Sequence, residues 1–226
     1  MGCCSSKYYL GTKNSKMSFY REGLDEEQLL ILHQSASLLA GQDFYLAGGT
    51  ALAIYYTHRR SADLDWFTSQ PINDPLRLAQ SLQGTGMALN IDRTAPGTLH
   101  AHIGAVRLSF FEFHYPLLQH VNRWPETGCD LASLDDLACM KLSAIAQRGS
   151  KKDFFDIHAL ITRHRPLAEM LPLYRQKFGV PDISPVLYGL AYFDDADEEP
   201  DPTLLWDIQW REVKRNFSDW LKDISR

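Results

Sequence analysis

Phe44-Tyr45-Leu46-Ala47-Gly48-Gly49-Thr50 leads, after one short helical stretch, into Asp63-Leu64-Asp65-Trp66-Phe67, and the reading of this stretch decides the fold. An apolar run, a glycine pair and a second apolar run carrying two alternate carboxylates predict a strand, a turn into a helix N-terminus, and a second strand. The glycines let backbone N–H groups approach a phosphate, and the helix end favours its charge. Side chains two apart on a strand share a face. Asp63 and Asp65 can therefore reach one Mg²⁺, a hard cation usually held by one or two carboxylates plus substrate phosphates. Alone, Gly-Gly is usually a tight turn and Asp-x-Asp a solvated strand end; the specificity lies in their combination.

At these residues the chain resembles the DNA polymerase beta-like nucleotidyltransferase superfamily. The fuller string, Gly48-Gly49-Thr50-Ala51-Leu52 and then His58-Arg59-Arg60-Ser61-Ala62-Asp63-Leu64-Asp65-Trp66-Phe67-Thr68, is similar to its AbiEii branch of nucleotidyltransferase-like toxins from abortive-infection, type IV toxin–antitoxin systems. A second match is Lys141-Leu142-Ser143-Ala144-Ile145-Ala146-Gln147-Arg148, followed by Lys152-Asp153-Phe154-Phe155-Asp156-Ile157-His158-Ala159-Leu160. The likeness runs over residues 24–165 and covers neither terminus. It implies an α+β fold with a mixed sheet and packed helices, an NTP substrate with Mg²⁺, an RNA end or a protein hydroxyl as acceptor, and a cognate antitoxin. Asp63 and Asp65 would hold the metal. Gly48, Gly49 and Thr50 would hold phosphate, with Ser61 and Arg59 or Arg60 close by. Lys141, Lys152 and Asp153 would border the cleft, the lysines as phosphate partners.

Each residue also has a plainer reading. Arg59 and Arg60 can be surface charges, and Asp153 can simply cap a helix. Lys141 lies among the apolar positions of its helix, where a snorkelling stem explains it as well as a site role does. The superfamily usually carries a third acid on a neighbouring strand. The run Ala105-Val106-Arg107-Leu108-Ser109-Phe110-Phe111-Glu112-Phe113 offers Ser109 at that place. Glu112, three residues on, faces the other way on a regular strand and joins the catalytic set only across a bulge. Two other functions therefore stand beside nucleotidyl transfer to a macromolecule: a degenerate nucleotide- or partner-binding relative, and a nucleotidyltransferase of small molecules such as antibiotics.

The whole chain sets wider bounds. Its 226 residues suffice for one substantial domain or two small packed ones, and 45% hydrophobic residues fit a globular protein. A net charge of −5 disfavours nonspecific nucleic-acid binding as the main task but allows a local basic patch. Cys3, Cys4, Cys129 and Cys139 form neither a zinc spacing nor a disulfide framework, so a reducing cytoplasm is expected. Met1-Gly2-Cys3-Cys4-Ser5-Ser6 matches an N-myristoylation pattern that only a eukaryotic cell would read. Residues 1–16 are expected to be a disordered upstream extension rather than a working anchor.

Three parts are expected: that extension, a nucleotidyltransferase-like core over 17–125, and a helical region over 126–226 closing one side of the cleft. The core reads as a helix over 24–40 capped by Asp25 with Gln28, strands at 44–47 and 63–67, helices at 50–57 and 75–83, and strands at 87–93, 99–103 and 105–113. That makes about five strands. Beyond it, helices are expected over 134–148 and 151–164, capped by Ser133 and Ser150 with Asp136 and Asp153 at the capping-box positions, then at 167–178, 184–191 and 203–224. The acidic stretch 194–202 reads as a solvated linker.

Overall fold

The computed structural model describes residues 18–224. The residues of the lipidation pattern, Gly2, Cys3 and Cys4, and the rest of 1–16 lie outside them. The core begins with α1 (Glu26–Leu39), whose N-terminus is closed by a reciprocal capping box between Asp25 and Gln28. β1 (Tyr45–Ala47) runs straight into α2 (Gly48–Tyr56), which leads back to β2 (Asp63–Thr68). α3 (Pro75–Gly84) starts with Pro75 in its first turn and Asp74 as its cap. β3 (Asn90–Ala95), β4 (Thr98–Ile103) and β5 (Val106–Glu112) form a meander.

Two short strands that the sequence pattern did not announce follow: β6 (Asn122–Trp124) and β7 (Cys129–Leu131). They complete a seven-stranded sheet in the order β3-β4-β5-β2-β1-β7-β6. β2 pairs antiparallel with β1 and parallel with β5, and β7 pairs parallel with β1, so the sheet is mixed. The β6–β7 hairpin straddles the expected boundary at 125/126, and the sheet runs on to Leu131.

The period-two pattern separates the two faces. Along β2, Leu64, Trp66 and Thr68 are buried while Asp63, Asp65 and Phe67 are partly open. Along β5, Val106, Leu108 and Phe110 are buried while Arg107, Ser109 and Phe111 take the other side. Burying each large apolar side chain is worth roughly 1.5–3 kcal/mol. A one-residue slip would put Asp63 and Asp65 into the core and Leu64 and Trp66 into water, so this burial fixes where the carboxylates point.

The helical part consists of α4 (Leu134–Gln147), α5 (Lys151–Arg163), α6 (Leu167–Phe178), α7 (Ser184–Ala191), α8 (Asp194–Glu198) and α9 (Trp210–Ile224). Two expectations change here. The acidic stretch is a short helix and a clamp rather than a solvated linker: Asp197 accepts from Lys214 and Trp210, while Glu199 and Asp201 grip the buried Lys151. The last helix starts at Trp210, because 203–206 run as extended chain against the segment before β2. Arg59 bridges Leu204, and Arg60 N–H donates to the Thr203 carbonyl at 2.8 Å. No described helix is long and apolar enough to cross a membrane.

Candidate active site

The two glycines are each required by what they touch. Gly48 sits at φ +69°, and a Cβ there would stand 2.6 Å from the Asp65 carboxylate. A Cβ on Gly49 would stand 2.3 Å from the Arg59 guanidinium and 3.1 Å from Ser61 Oγ. The turn therefore brings bare backbone at the start of α2 against Asp65, Arg59 and Ser61. Thr50 is fully buried, and its hydroxyl donates to the Asp63 carbonyl, which leaves its oxygen to accept from Ser61 Oγ at 2.9 Å. Its place is to pin the start of β2 to α2, rather than to present its hydroxyl to a phosphate.

Asp63 and Asp65 share one face of β2, beside the glycine turn. Asp63 accepts from Arg107 Nε at 2.8 Å, from the directly opposite position on β5. Burial and the neighbouring Asp63 push the Asp65 carboxyl above the usual carboxylate range; Lys141, Lys152 and the Ser109 hydroxyl pull the other way.

Ser109 stands opposite Asp65 in register, at the place where a third acid was sought. Glu112 does not join the cluster. It pairs with Thr68 on the far stretch of β5, its carboxylate accepts from Ile72 N–H at 2.9 Å and His114 at 2.7 Å, and no register shift interrupts β5. The regular strand keeps the parity that the sequence implies, and Glu112 tethers the 70–72 loop instead.

The opposite wall comes from α4 and α5. Lys141 is buried and reaches Asp153 at 2.8 Å and Asp156 at 2.5 Å. Asp153 also accepts from Arg148 and Ser150, so it links α4, the turn after it and α5 rather than closing a capping box. Asp156 is fully buried. It takes a two-pronged contact from Arg59 at 2.7 and 2.8 Å and a third hydrogen bond from His58 at 2.7 Å. These cations hold Asp156 well below the usual carboxylate range and Asp153 down at about 2, against the opposing effect of burial. Burial keeps His58 neutral more strongly than Asp156 can draw a proton onto it. Arg59 is thus a buried strut and no surface charge.

Asp156 and Arg148 were not singled out from the sequence, although both lie in the downstream string. The signal was the spacing Lys152-Asp153…Asp156, which puts two carboxylates one helical turn apart. Ser133 and Asp136 hydrogen-bond as expected at the start of α4, yet the Asp136 carboxylate also takes Leu118 N–H and the fully buried Lys177, tying α6 to the loop before β6.

Between the walls lies a cleft of about 440 Å³. Gly48, Gly49, Asp63 and Asp65 line it together with six cations: Arg59, Arg60, Arg107, Lys141, Arg148 and Lys152. Phe67, Phe111, Leu137 and Met140 add apolar surface to the same lining. Of the residues expected from sequence, the fold brings together Gly48, Gly49, Arg59, Ser61, Asp63, Asp65, Lys141 and Lys152 around this space; Asp153 lies behind Lys141, Thr50 behind Ser61, and Glu112 elsewhere.

Residues 31–223 match the family described as the nucleotidyl transferase AbiEii toxin of type IV toxin–antitoxin systems. The chain is 38% identical over 205 residues to the protein aq_aa25 of Aquifex aeolicus (strain VF5), across 88% of this chain and 97% of that one. Among solved structures, JHP933 from Helicobacter pylori shares the fold with a TM-score of 0.58 at 19% identity, over 92% of this chain and 93% of its own. The antibiotic-resistance factor ANT(2'')-Ia does so with a TM-score of 0.53 at 14% identity, over 69% and 92%. A match that takes in both walls of the cleft and nearly all of the described chain places this protein in the AbiEii family of nucleotidyltransferase toxins, as an enzyme of that transferase class.

Proposed function

We propose that the protein is a Mg²⁺-dependent nucleotidyltransferase that moves a nucleoside monophosphate from an NTP to an RNA end or a protein hydroxyl, in the cytoplasm, in a phage-defence setting where a cognate antitoxin restrains it. The observation that carries this reading is the juxtaposition of bare glycine backbone with Asp63 and Asp65 in one cation-lined cleft. The cleft volume falls in the range usual for small-molecule sites.

The donor set fits a hard cation. Two carboxylates share one strand face, and burial with mutual repulsion raises the Asp65 carboxyl, an electrostatic load that a divalent ion relieves. Among the described residues no group of three or more His, Cys, Asp or Glu side chains forms a metal cluster, so the phosphates would complete the coordination. Bound there, Mg²⁺ would spread charge on the phosphates as the bond between α- and β-phosphate breaks and pyrophosphate leaves. The chain's own work is alignment. Backbone N–H groups at Gly49 and Thr50 donate to phosphate oxygens, Lys152, Arg60 and Arg148 neutralise the triphosphate, and the apolar lining residues seat the base. Arg107 is 69% exposed, and an exposed ion pair is weak, so its grip on Asp63 yields readily to a cation or a phosphate.

A second reading has one observation in its favour. Ser109 occupies the third-acid position, so the site can bind nucleotide and metal while transferring slowly or not at all. One experiment separates the two. The protein is incubated with each labelled NTP, Mg²⁺ and total RNA or lysate, and nucleotide binding is measured in parallel. Label moving to RNA or protein, dependent on Mg²⁺ and on Asp63, supports the first reading. Saturable binding without transfer to any fraction overturns it in favour of the second.

A further inference from the structure

Three side chains stand in line across three adjacent strands, on the cleft face of the sheet. Asp65 on β2 is directly opposite Ser109 on β5, and Ser109 is directly opposite His100 on β4. Ser109 is thus the cross-strand neighbour of Asp65, its hydroxyl helps to lower that carboxyl, and His100 Nδ1 lies 3.2 Å from Ser109 Oγ. The direction of the chain follows from donor counting. An ionised carboxylate only accepts, and a serine hydroxyl has one proton to give. With Asp65 ionised, as a cation ligand must be, a Ser109 hydroxyl turned to it donates, and His100 then donates from Nδ1–H to Ser109. The edge of Phe111 packs on the His100 ring at 5.5 Å and 76°, which limits its rotation. Ser109 is not part of the cleft lining, whereas Asp65 is.

We infer that His100 and Ser109 are positioning residues that orient the Asp65 carboxylate for a divalent cation, taking over from the strand β5 side the fixing role that a third carboxylate would have at the Ser109 place. Outer hydrogen-bond partners of metal-binding carboxylates set ligand orientation, and their loss typically costs 10- to 100-fold in metal affinity or activity. This inference rests on Asp63 and Asp65 forming a cation site, as proposed above, but not on which acceptor is used.

The test reads Mn²⁺ binding to the full chain, by calorimetry and by the paramagnetic signal of the free ion, beside turnover with NTP. His100→Phe and Ser109→Ala should each weaken Mn²⁺ about 10-fold or more and lower kcat similarly, with KM for NTP little changed. The double variant should be no worse than either single one, because both cut the same chain. His100→Asn, whose amide N–H takes the place of Nδ1–H, should recover most of the loss. His100→Gln, whose amide falls at the Nε2 position, should not, and this pair keeps the test decisive if the Phe variant does not fold. Wild-type Mn²⁺ affinity in folded His100→Phe, equal damage from Asn and Gln, or additive losses in the double variant would each overturn the inference. Failure of the parent reading looks different: wild-type protein that binds no Mn²⁺, or binds it and transfers no label.

Discussion

Asp65 is held at a cost to stability, as the proposed cation site would require. Its folded carboxyl titrates above the unfolded one, so the ionised form destabilises the fold once the pH exceeds that of an ordinary carboxylate. Asp65→Asn removes that charge. We expect transfer to fall about 10²–10³-fold, since charge stabilisation of several kcal/mol is lost, while the melting temperature at pH 7 stays level or rises. A variant that loses activity together with several degrees of stability would show that Asp65 is structural. Asp63→Asn should cost as much activity. Gly49 is the converse case. A Cβ there meets a guanidinium that cannot swing away, because two hydrogen bonds hold it on Asp156. Gly49→Ala should therefore destabilise by about 1–3 kcal/mol, the usual cost of overpacking, which a urea midpoint measures. Gly49→Ala combined with Arg59→Ala should relieve the clash but not restore activity.

At the scale of elements, the legible parts were those whose information is local. Capping residues, alternation and glycine turns announced α1, β2, α6 and α7 nearly to the residue, and the alternation announced that Asp63 and Asp65 share one face of β2. β6 and β7 escaped because three-residue strands hold too little pattern; only pairing with β1 makes Cys129–Leu131 a strand. Glu112 was the one catalytic candidate drawn from a possible irregularity, and β5 has none. Asp156 escaped because its meaning lies across the sequence, in Arg59 and His58 nearly a hundred positions earlier. This lattice should dominate acid stability. Asp153 keeps its charge down to about pH 2 in the fold, so its contribution is complete above the unfolded value near 4 and lost as pH falls from there towards 2. His158, a buried neutral ring whose Nε2 accepts from Asn216, titrates at about 4 against an ordinary 6.5. The unfolded chain takes up that proton first, so stability should already fall between about pH 6.5 and 4, by on the order of 3 kcal/mol. Urea midpoints across this range should slope, and His158→Gln should flatten the slope whatever its absolute stability. Asp156→Ala should cost about 3–5 kcal/mol, because it strips the buried Arg59 of its carboxylate and leaves Lys141 with Asp153 alone.

The whole molecule carries net charge −5, yet six cations and only two carboxylates line the cleft. An acidic body around a basic cleft keeps polyanions from binding generally and draws small, dense anions to one place. Three of these cations do separate work. Lys141 and Arg59 are buried and committed to Asp153 and Asp156, so they shape the cleft. Lys152 is exposed where it lines the cleft, and its charge opposes the net rise of the Asp65 carboxyl. Its neighbour Lys151 is turned inward onto Glu199 and Asp201, which ties the 199–203 segment to α5 and brings Pro202 and Thr203 to the cleft's rim. The division of labour between adjacent lysines gives opposite expectations for the same substitution. Lys152→Ala should raise KM for NTP about 5- to 10-fold with little change in kcat or melting temperature, the pattern of lost uniform binding. Its kcat/KM should also depend less on ionic strength than wild type between about 50 and 300 mM salt, where exposed charges are progressively screened. Lys151→Ala should instead lower the melting temperature and loosen the 199–203 rim, and its kinetic loss should be insensitive to salt. Steady-state kinetics over a salt series, with melting curves on the same samples, distinguishes the two. Equal salt dependence in wild type and Lys152→Ala would mean that Lys152 does not face the triphosphate, and its assignment to phosphate would fall.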